Sequence, residues 1–237
     1  MYCRTCRGPT GAGYARCYQC ESALSEAGGL LADVVAPTGY AVRGGPLAED
    51  LRRYKSERAA AAEAAAAAAR LRERLAAFLA VHGRSVWDAA QMPSGPAAVA
   101  VVPSGQGRSG THPLVSLVRS CVDLAVLSLA VAAPEAHTRG VNPGWVRVVD
   151  RVDGADVLVV DDTWVSGGSA QSAAAALKLA GARRVAVVVL GRHVNPADQR
   201  SAAFLDSVRA AARRQAAEKK PGENFPGAVP PRGAPSS

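Results

Sequence analysis

Two adjacent carboxylates and a small, hydroxyl-rich run that follows them carry the clearest chemistry in the chain: Val157-Leu158-Val159-Val160-Asp161-Asp162-Thr163-Trp164-Val165-Ser166-Gly167-Gly168-Ser169. Asp161 and Asp162 cannot hold a phosphate, because like charges repel. They suit neutral hydroxyls, as on a ribose, or a divalent cation. The run from Thr163 to Ser169 suits the opposite task. Gly167 and Gly168 let the main chain approach a ligand without a Cβ in the way, and Ser166 and Ser169 add hydroxyl donors. Backbone N–H groups converging at a helix start, with its positive dipole end, make a phosphate site. A site that takes both a phosphate and sugar hydroxyls takes a phosphorylated ribose.

The cysteines suggest a second centre. Cys3-x2-Cys6 and Cys17-x2-Cys20 form two knuckles, with Gly8, Pro9, Gly11 and Gly13 between them. A lone C-x-x-C also fits a redox motif, but two pairs close together favour one tetrahedral zinc ion. Four thiolates close the coordination shell, so the expected role is structural, and the module should fold only with metal. The start Met1-Tyr2-Cys3-Arg4 has no apolar signal-peptide core. No run is long and apolar enough to span a bilayer; the best candidate, Cys121 to Ala133, is short and contains Asp123. A cytoplasmic protein is therefore expected, with cysteines serving as metal ligands rather than disulfides.

A third stretch, Pro103-Ser104-Gly105-Gln106-Gly107-Arg108-Ser109-Gly110, contains G-x-G-x-x-G after an apolar run. A dinucleotide fingerprint would need a second strand ending in an acid some way on, and Glu135 is only a loose match. The preferred reading is a second anion-binding loop, in which N–H groups and Arg108 meet a diphosphate.

Elements with the right geometry flank these stretches. Val157–Val160 reads as a buried central strand of a parallel sheet, closed by the two acids at its carboxyl end. Ala170 to Ala180 reads as the following helix, ended by Gly181. Ala97–Val102, Trp145–Val149 and Val185–Leu190 read as further strands, and Leu114 to Ala133 as one apolar helix. Pro46 to Val81 is helical in composition, with an Ala-rich centre. Ala32 to Gly45 reads as a hairpin or loop. Gly191 to Pro196 should leave a strand's carboxyl end, with His193 well placed to touch a ligand. The alternation implies an α/β fold with a parallel sheet. The expected division is a four-cysteine module over 1–30, an α/β domain over 31–212 with a long helix over 46–82, and a disordered basic, Pro-rich tail over 213–237.

The 237 residues suffice for one domain with appendages, and 49 % are apolar. The formal charge is +8. Four thiolates and one Zn²⁺ contribute −4 + 2 = −2, which leaves about +6 and favours polyanionic or phosphorylated partners.

The run from Val157 to Ser169 resembles, at every position, the PRPP-binding motif of type I phosphoribosyltransferases. The order of features narrows the likeness: four N-terminal cysteines, Tyr54-Lys55 in a helix, Val102-Pro103 with Arg108, Arg139-x2-Asn142, then the motif. That order is similar to the ComF-like competence phosphoribosyltransferases over roughly residues 1 to 192. The resemblance implies a type I phosphoribosyltransferase fold. It assigns the ribose 2′- and 3′-hydroxyls to Asp161 and Asp162, and the 5′-phosphate to Thr163, Trp164, Val165, Ser166, Gly167, Gly168 and Ser169. It makes Pro103 to Arg108, with Ser104, Gly105 and Gln106, the pyrophosphate loop, and it places Arg139 and Asn142 in a mobile loop region. The chain departs from the family at Ser109-Gly110-Thr111-His112, where an Arg-Gly-Phe-Asn-like stretch is usual.

The implied reaction is phosphoribosyl transfer at C1 of PRPP with release of diphosphate. Mg²⁺ would neutralise the diphosphate and Arg108 would take part of its charge. The acceptor would be a nucleobase or an amine. A non-catalytic alternative is a PRPP sensor or a single-stranded-DNA-binding accessory protein linked to DNA uptake, and the chain could act as a homo-oligomer. Base-stacking aromatics are sparse for the DNA-binding role.

Overall fold

A computed structural model describes residues 2–104, 112–133, 135 and 140–218. The helices are α1 (Tyr18–Ala27), α2 (Pro46–Arg53), α3 (Ala61–Ala89), α4 (Pro113–Arg119), α5 (Gly168–Leu179) and α6 (Gln199–Glu218). The strands are β1 (Val34–Pro37), β2 (Tyr40–Val42), β3 (Ala98–Val101), β4 (Ala125–Leu127), β5 (Leu129–Val131), β6 (Val146–Val148), β7 (Asp156–Trp164) and β8 (Arg184–Val194). Six of them form one parallel sheet in the order β1-β8-β7-β3-β4, with β2 also on β8. The antiparallel pair β5–β6 stands apart.

Unbroken β-branched runs form the centre because helices cover both faces of the sheet. Val157 to Val160 and Val185 to Leu190 are fully buried. Alternation sorts β7 between two cores: Val157 and Val159 pack with α5, whereas Leu158 and Val160 pack with residues of α2, α3 and α4.

Helix α5 is the unusual layer. It is built largely of Ala, Ser and Gly, and nearly every residue from Gly168 to Leu177 is buried. Small side chains let other segments close over its outer side. Gln171 Oε1 accepts from the Ala32 N–H at 2.8 Å, Ser172 Oγ accepts from the Asn142 N–H at 2.8 Å, and Lys178 Nζ donates to the Leu31 carbonyl at 2.6 Å. The cysteine module and the β5–β6 pair thus cover a helix that already rests on the sheet.

Several expectations need correction. Leu114 to Ala133 is not one helix: α4 ends at Arg119, a turn at Ser120–Cys121 follows, and β4 and β5 take the rest. An unbroken apolar run does not by itself distinguish helix from buried strand, and an open edge of β3 was available to pair. The segment Ala32 to Gly45 is no hairpin, since β1 and β2 run in the same direction along β8. The helical stretch from Pro46 breaks between α2 and α3, and α3 continues past Val81 to Ala89. Strand β8 continues to Val194, so His193 sits in the sheet, in register with Ala41. Helix α6 runs past 213 to Glu218, and the rest of the expected tail lies outside the described residues.

Because α5 is enclosed on both sides, Ala174→Leu should overpack it. Chemical denaturation should show a loss of about 1–3 kcal/mol with an unchanged m-value.

Candidate active site

The site begins with β7 extending further than the apolar run suggests. The strand stays paired with β8 through Asp161↔Val189, Thr163↔Gly191 and Trp164↔Arg192. Asp161 and Asp162 are therefore inside a strand, and neighbouring side chains in a strand point to opposite faces. Asp161 turns toward α5. Asp162 turns toward the break between α2 and α3, where it accepts from Tyr54 Oη at 2.6 Å and Lys55 Nζ at 2.5 Å.

Asp161, Thr163, Val165, Ser166, Gly167, Gly168 and Ser169 line one cleft of about 630 Å³, together with Tyr18, Gln19, Ser22, Ala23 and Glu26 of α1 and with Gly140 and Val141. The N-terminus of the twelve-residue α5 opens into it. Gly167 caps that helix with φ +92°, and a Cβ there would lie 2.1 Å from the Trp164 indole. Glycine is required on both counts: the backbone is left-handed, and it sits directly against a buried ring. Ser166 Oγ accepts from the Gly168 N–H at 3.3 Å. This wall of helix amides and hydroxyls suits an anion.

The two acids differ in charge state as well as in direction. Burial, then repulsion from Asp162, pushes the Asp161 carboxyl up to about 7, against a hydrogen bond from the Asp162 N–H at 2.8 Å. Burial alone would also raise Asp162. The Lys55 ammonium, with hydrogen bonds from Lys55, Tyr54 and Thr163, outweighs burial and holds that carboxyl below its usual range. Asp162 stays an ionised acceptor while Asp161 is poised near neutrality.

The remaining predicted residues fall elsewhere. Trp164 is buried beneath Gly167. Ser104 lines a second cavity of about 790 Å³, with Tyr54, Lys55, His112 and Ser128. Asn142 caps the short 3-10 turn at Pro143–Trp145 through the Gly144 N–H. His193 does not line the cleft of Asp161, and burial lowers its pKa. Arg108, Gly105, Gln106, Gly107, Gly110 and Arg139 lie outside the described residues.

Sequence reasoning missed the wall supplied by α1. Glu26 accepts from Ser22 Oγ at 2.7 Å and from the Val141 N–H at 2.9 Å, which joins the cysteine module to the opposite lip of the cleft. No local motif marks Tyr18, Gln19, Ser22 or Glu26. Their only signal is proximity in sequence to Cys17 and Cys20.

The sulfur atoms of Cys3, Cys6, Cys17 and Cys20 all lie within 4.8 Å of one another, and all four thiols are free. Cys6 and Cys17 Sγ are 3.8 Å apart. A tetrahedron with Zn–S bonds of about 2.3 Å has edges of about 3.8 Å, so the donor set and its spacing fit zinc. The cluster can hold a metal ion such as zinc. Among the described residues no helix is long and apolar enough to cross a membrane.

No protein-family model matches the chain, and no curated protein does. Among solved structures it is similar to a phosphoribosyltransferase from Corynebacterium diphtheriae, at 20 % identity over 66 % of this chain and 78 % of that one, with a TM-score of 0.34. It is also similar to a purine phosphoribosyltransferase from Pyrococcus horikoshii Ot3, at 15 % identity over 55 % of this chain and 88 % of that one, with a TM-score of 0.31.

The raised pKa of Asp161 predicts a measurable effect on stability. Its folded-state value of about 7 exceeds the ordinary 3.8, so stability should fall as pH rises through that interval, with the full cost present above it. Asp161→Asn should therefore raise the melting temperature at pH 8, by about 2–4 °C for each kcal/mol recovered, and change it little at pH 4. Thermal denaturation at the two pH values checks the sign.

Proposed function

We propose that the cleft binds PRPP with Mg²⁺ and supports phosphoribosyl transfer with release of diphosphate. One observation carries this reading: a carboxylate and a helix-capping glycine loop from the same strand–loop–helix unit converge on one cleft. In this reading the N–H groups and hydroxyls of Val165 to Ser169 hold the 5′-phosphate. Asp161 faces the ribose hydroxyls and gains from their hydrogen bonds and from a cation nearby, both of which favour its ionised form. Asp162, the second acid of the resemblance, acts through position: it keeps Lys55 and Tyr54 against the strand end, on the side of the cavity that Ser104 lines. The residues suit a substitution with oxocarbenium character, in which the protein positions and neutralises. Mg²⁺ would shield the diphosphate when bound.

Calorimetry with PRPP and Mg²⁺ tests this directly. Wild type should bind; Asp161→Asn and Gly167→Ala should each lose at least tenfold in affinity, with Gly167→Ala also losing affinity for ribose 5-phosphate. Equal binding by wild type and both variants would remove the cleft from the reaction. Diphosphate release across a panel of nucleobases and amines then identifies the acceptor.

A second reading, single-stranded DNA binding without catalysis, is favoured by one feature. Tyr2, Tyr14 and Tyr18 of the cysteine module are exposed at 60, 72 and 83 %, among Arg4, Arg7 and Arg16. Exposed rings beside cationic side chains can stack unpaired bases. On this reading an oligothymidine should bind with a marked salt dependence, and Tyr14→Ala/Tyr18→Ala should weaken it about tenfold or more, as expected at 1–3 kcal/mol per stacked base. Fluorescence anisotropy at two salt concentrations decides the matter.

A further inference from the structure

Arg192 is a buried cation in need of a counter-charge. It is only 9 % exposed at the end of β8. The other buried charges have partners: Asp156 pairs with Arg183, and Asp162 with Lys55. Among the described residues no carboxylate pairs with Arg192. Its Nη1 donates to the carbonyls of Trp164 at 3.2 Å and His193 at 2.7 Å, and its Nε is buried without a partner. A buried charge left in that state is costly, so a source of negative charge is expected close by.

The guanidinium reaches the cysteine module. A Cβ built on Gly8, between the two knuckles, would lie 2.6 Å from Nη2 and 2.8 Å from Nε. Absence of that carbon lets the knuckle loop rest on the guanidinium. The same Gly8 accepts from the Cys3 N–H at 2.7 Å through its carbonyl, so the residue resting on the guanidinium is hydrogen-bonded to a cysteine of the cluster. Four thiolates around a divalent ion carry a net charge of −2, which is what the pocket around Arg192 otherwise lacks. The same side chain holds the carbonyl of Trp164, the residue that leads into the glycine loop and whose indole underlies Gly167.

We propose that Arg192 is the counter-charge of the metal–thiolate centre and, through the Trp164 carbonyl, the residue that ties metal occupancy to the position of the glycine loop. It touches neither the metal nor the ligand of the cleft; it is a positioning residue. The inference rests on the metal site and not on which ligand enters the cleft.

The test uses the full chain and three variants: Arg192→Gln, Arg192→Lys and Gly8→Ala. Zinc affinity is measured by competition with a chromophoric chelator, and cobalt(II) thiolate charge-transfer bands report ligand geometry. Loss of an outer-shell partner typically weakens metal binding about 10–100-fold, and Arg192→Gln should fall in that range. Arg192→Lys, which keeps the charge, should recover most of the affinity. Gly8→Ala, which keeps Arg192 but displaces its guanidinium, should weaken zinc and shift the cobalt bands. Amide exchange at Val165 to Gly168 should rise on chelation in wild type and be already raised in zinc-loaded Arg192→Gln. Zinc affinity within twofold of wild type in both Arg192→Gln and Gly8→Ala overturns the proposal, as does Arg192→Lys behaving like Arg192→Gln. If Arg192→Gln does not fold, Gly8→Ala decides alone.

Discussion

A strand repeats every two residues, and that period determines what two adjacent carboxylates can do. Strand β7 does not end before its acids. It remains in register with β8 as far as Trp164↔Arg192, so Asp161 and Asp162 leave the sheet on opposite faces. Each then meets a different environment. Asp162 finds a hydroxyl and an ammonium at the break between two helices. Asp161 finds partial desolvation at the cleft wall and a like charge. Had the strand ended at Val160, a loop could have turned both acids to one side. The parallel pairing with β8 prevents this and splits an apparent pair into one fixed anion and one titratable group.

The same demand for close packing explains why the helix after the loop is made largely of Ala, Ser and Gly. A larger-faced α5 would keep the cysteine module and the β5–β6 pair away from the sheet. With small side chains α5 is covered on both sides. The module's α1 then sits near enough to form a wall of the cleft, and Glu26 can reach the Val141 N–H. A module that the spacing of its cysteines marks only as a structural knot thus becomes one wall of the cleft. Its contribution comes from where α1 lies, not from any open position on a metal.

Much of this was legible in the sequence, and the exceptions share a cause. The strands around Val99, Val159 and Val187 show as apolar, largely β-branched runs because a parallel core is buried on both faces. The helix after Ser169 shows through its composition and the glycine at 181. The cysteine cluster shows through spacing alone. What failed depended on partners far away in the chain. Leu114 to Ala133 carries apolar residues compatible with helix or strand, and only the free edge of β3 makes β4 of its later part. Val34 to Val42 alternates like a hairpin, yet both halves follow β8. The partition of Asp161 from Asp162 depends on how far β7 stays paired, and the wall from α1 depends on the thickness of α5. None of these is a local property.

The energetics of Asp161 bear on why such a residue would be kept there. In the free protein a half-buried, poorly solvated carboxyl beside Asp162 favours the protonated form, so at neutral pH its ionisation works against folding. That cost is recovered only when something in the cleft stabilises the carboxylate, by hydrogen-bonding to it or by bringing positive charge. On the proposed reading, a ligand that presents hydroxyls and a divalent cation would do both, with its phosphate set against the amides of α5. A neutral side chain at 161 would make a more stable strand and, on the proposed reading, a poorer site. The costly choice is the one expected where a fold gives up stability for binding.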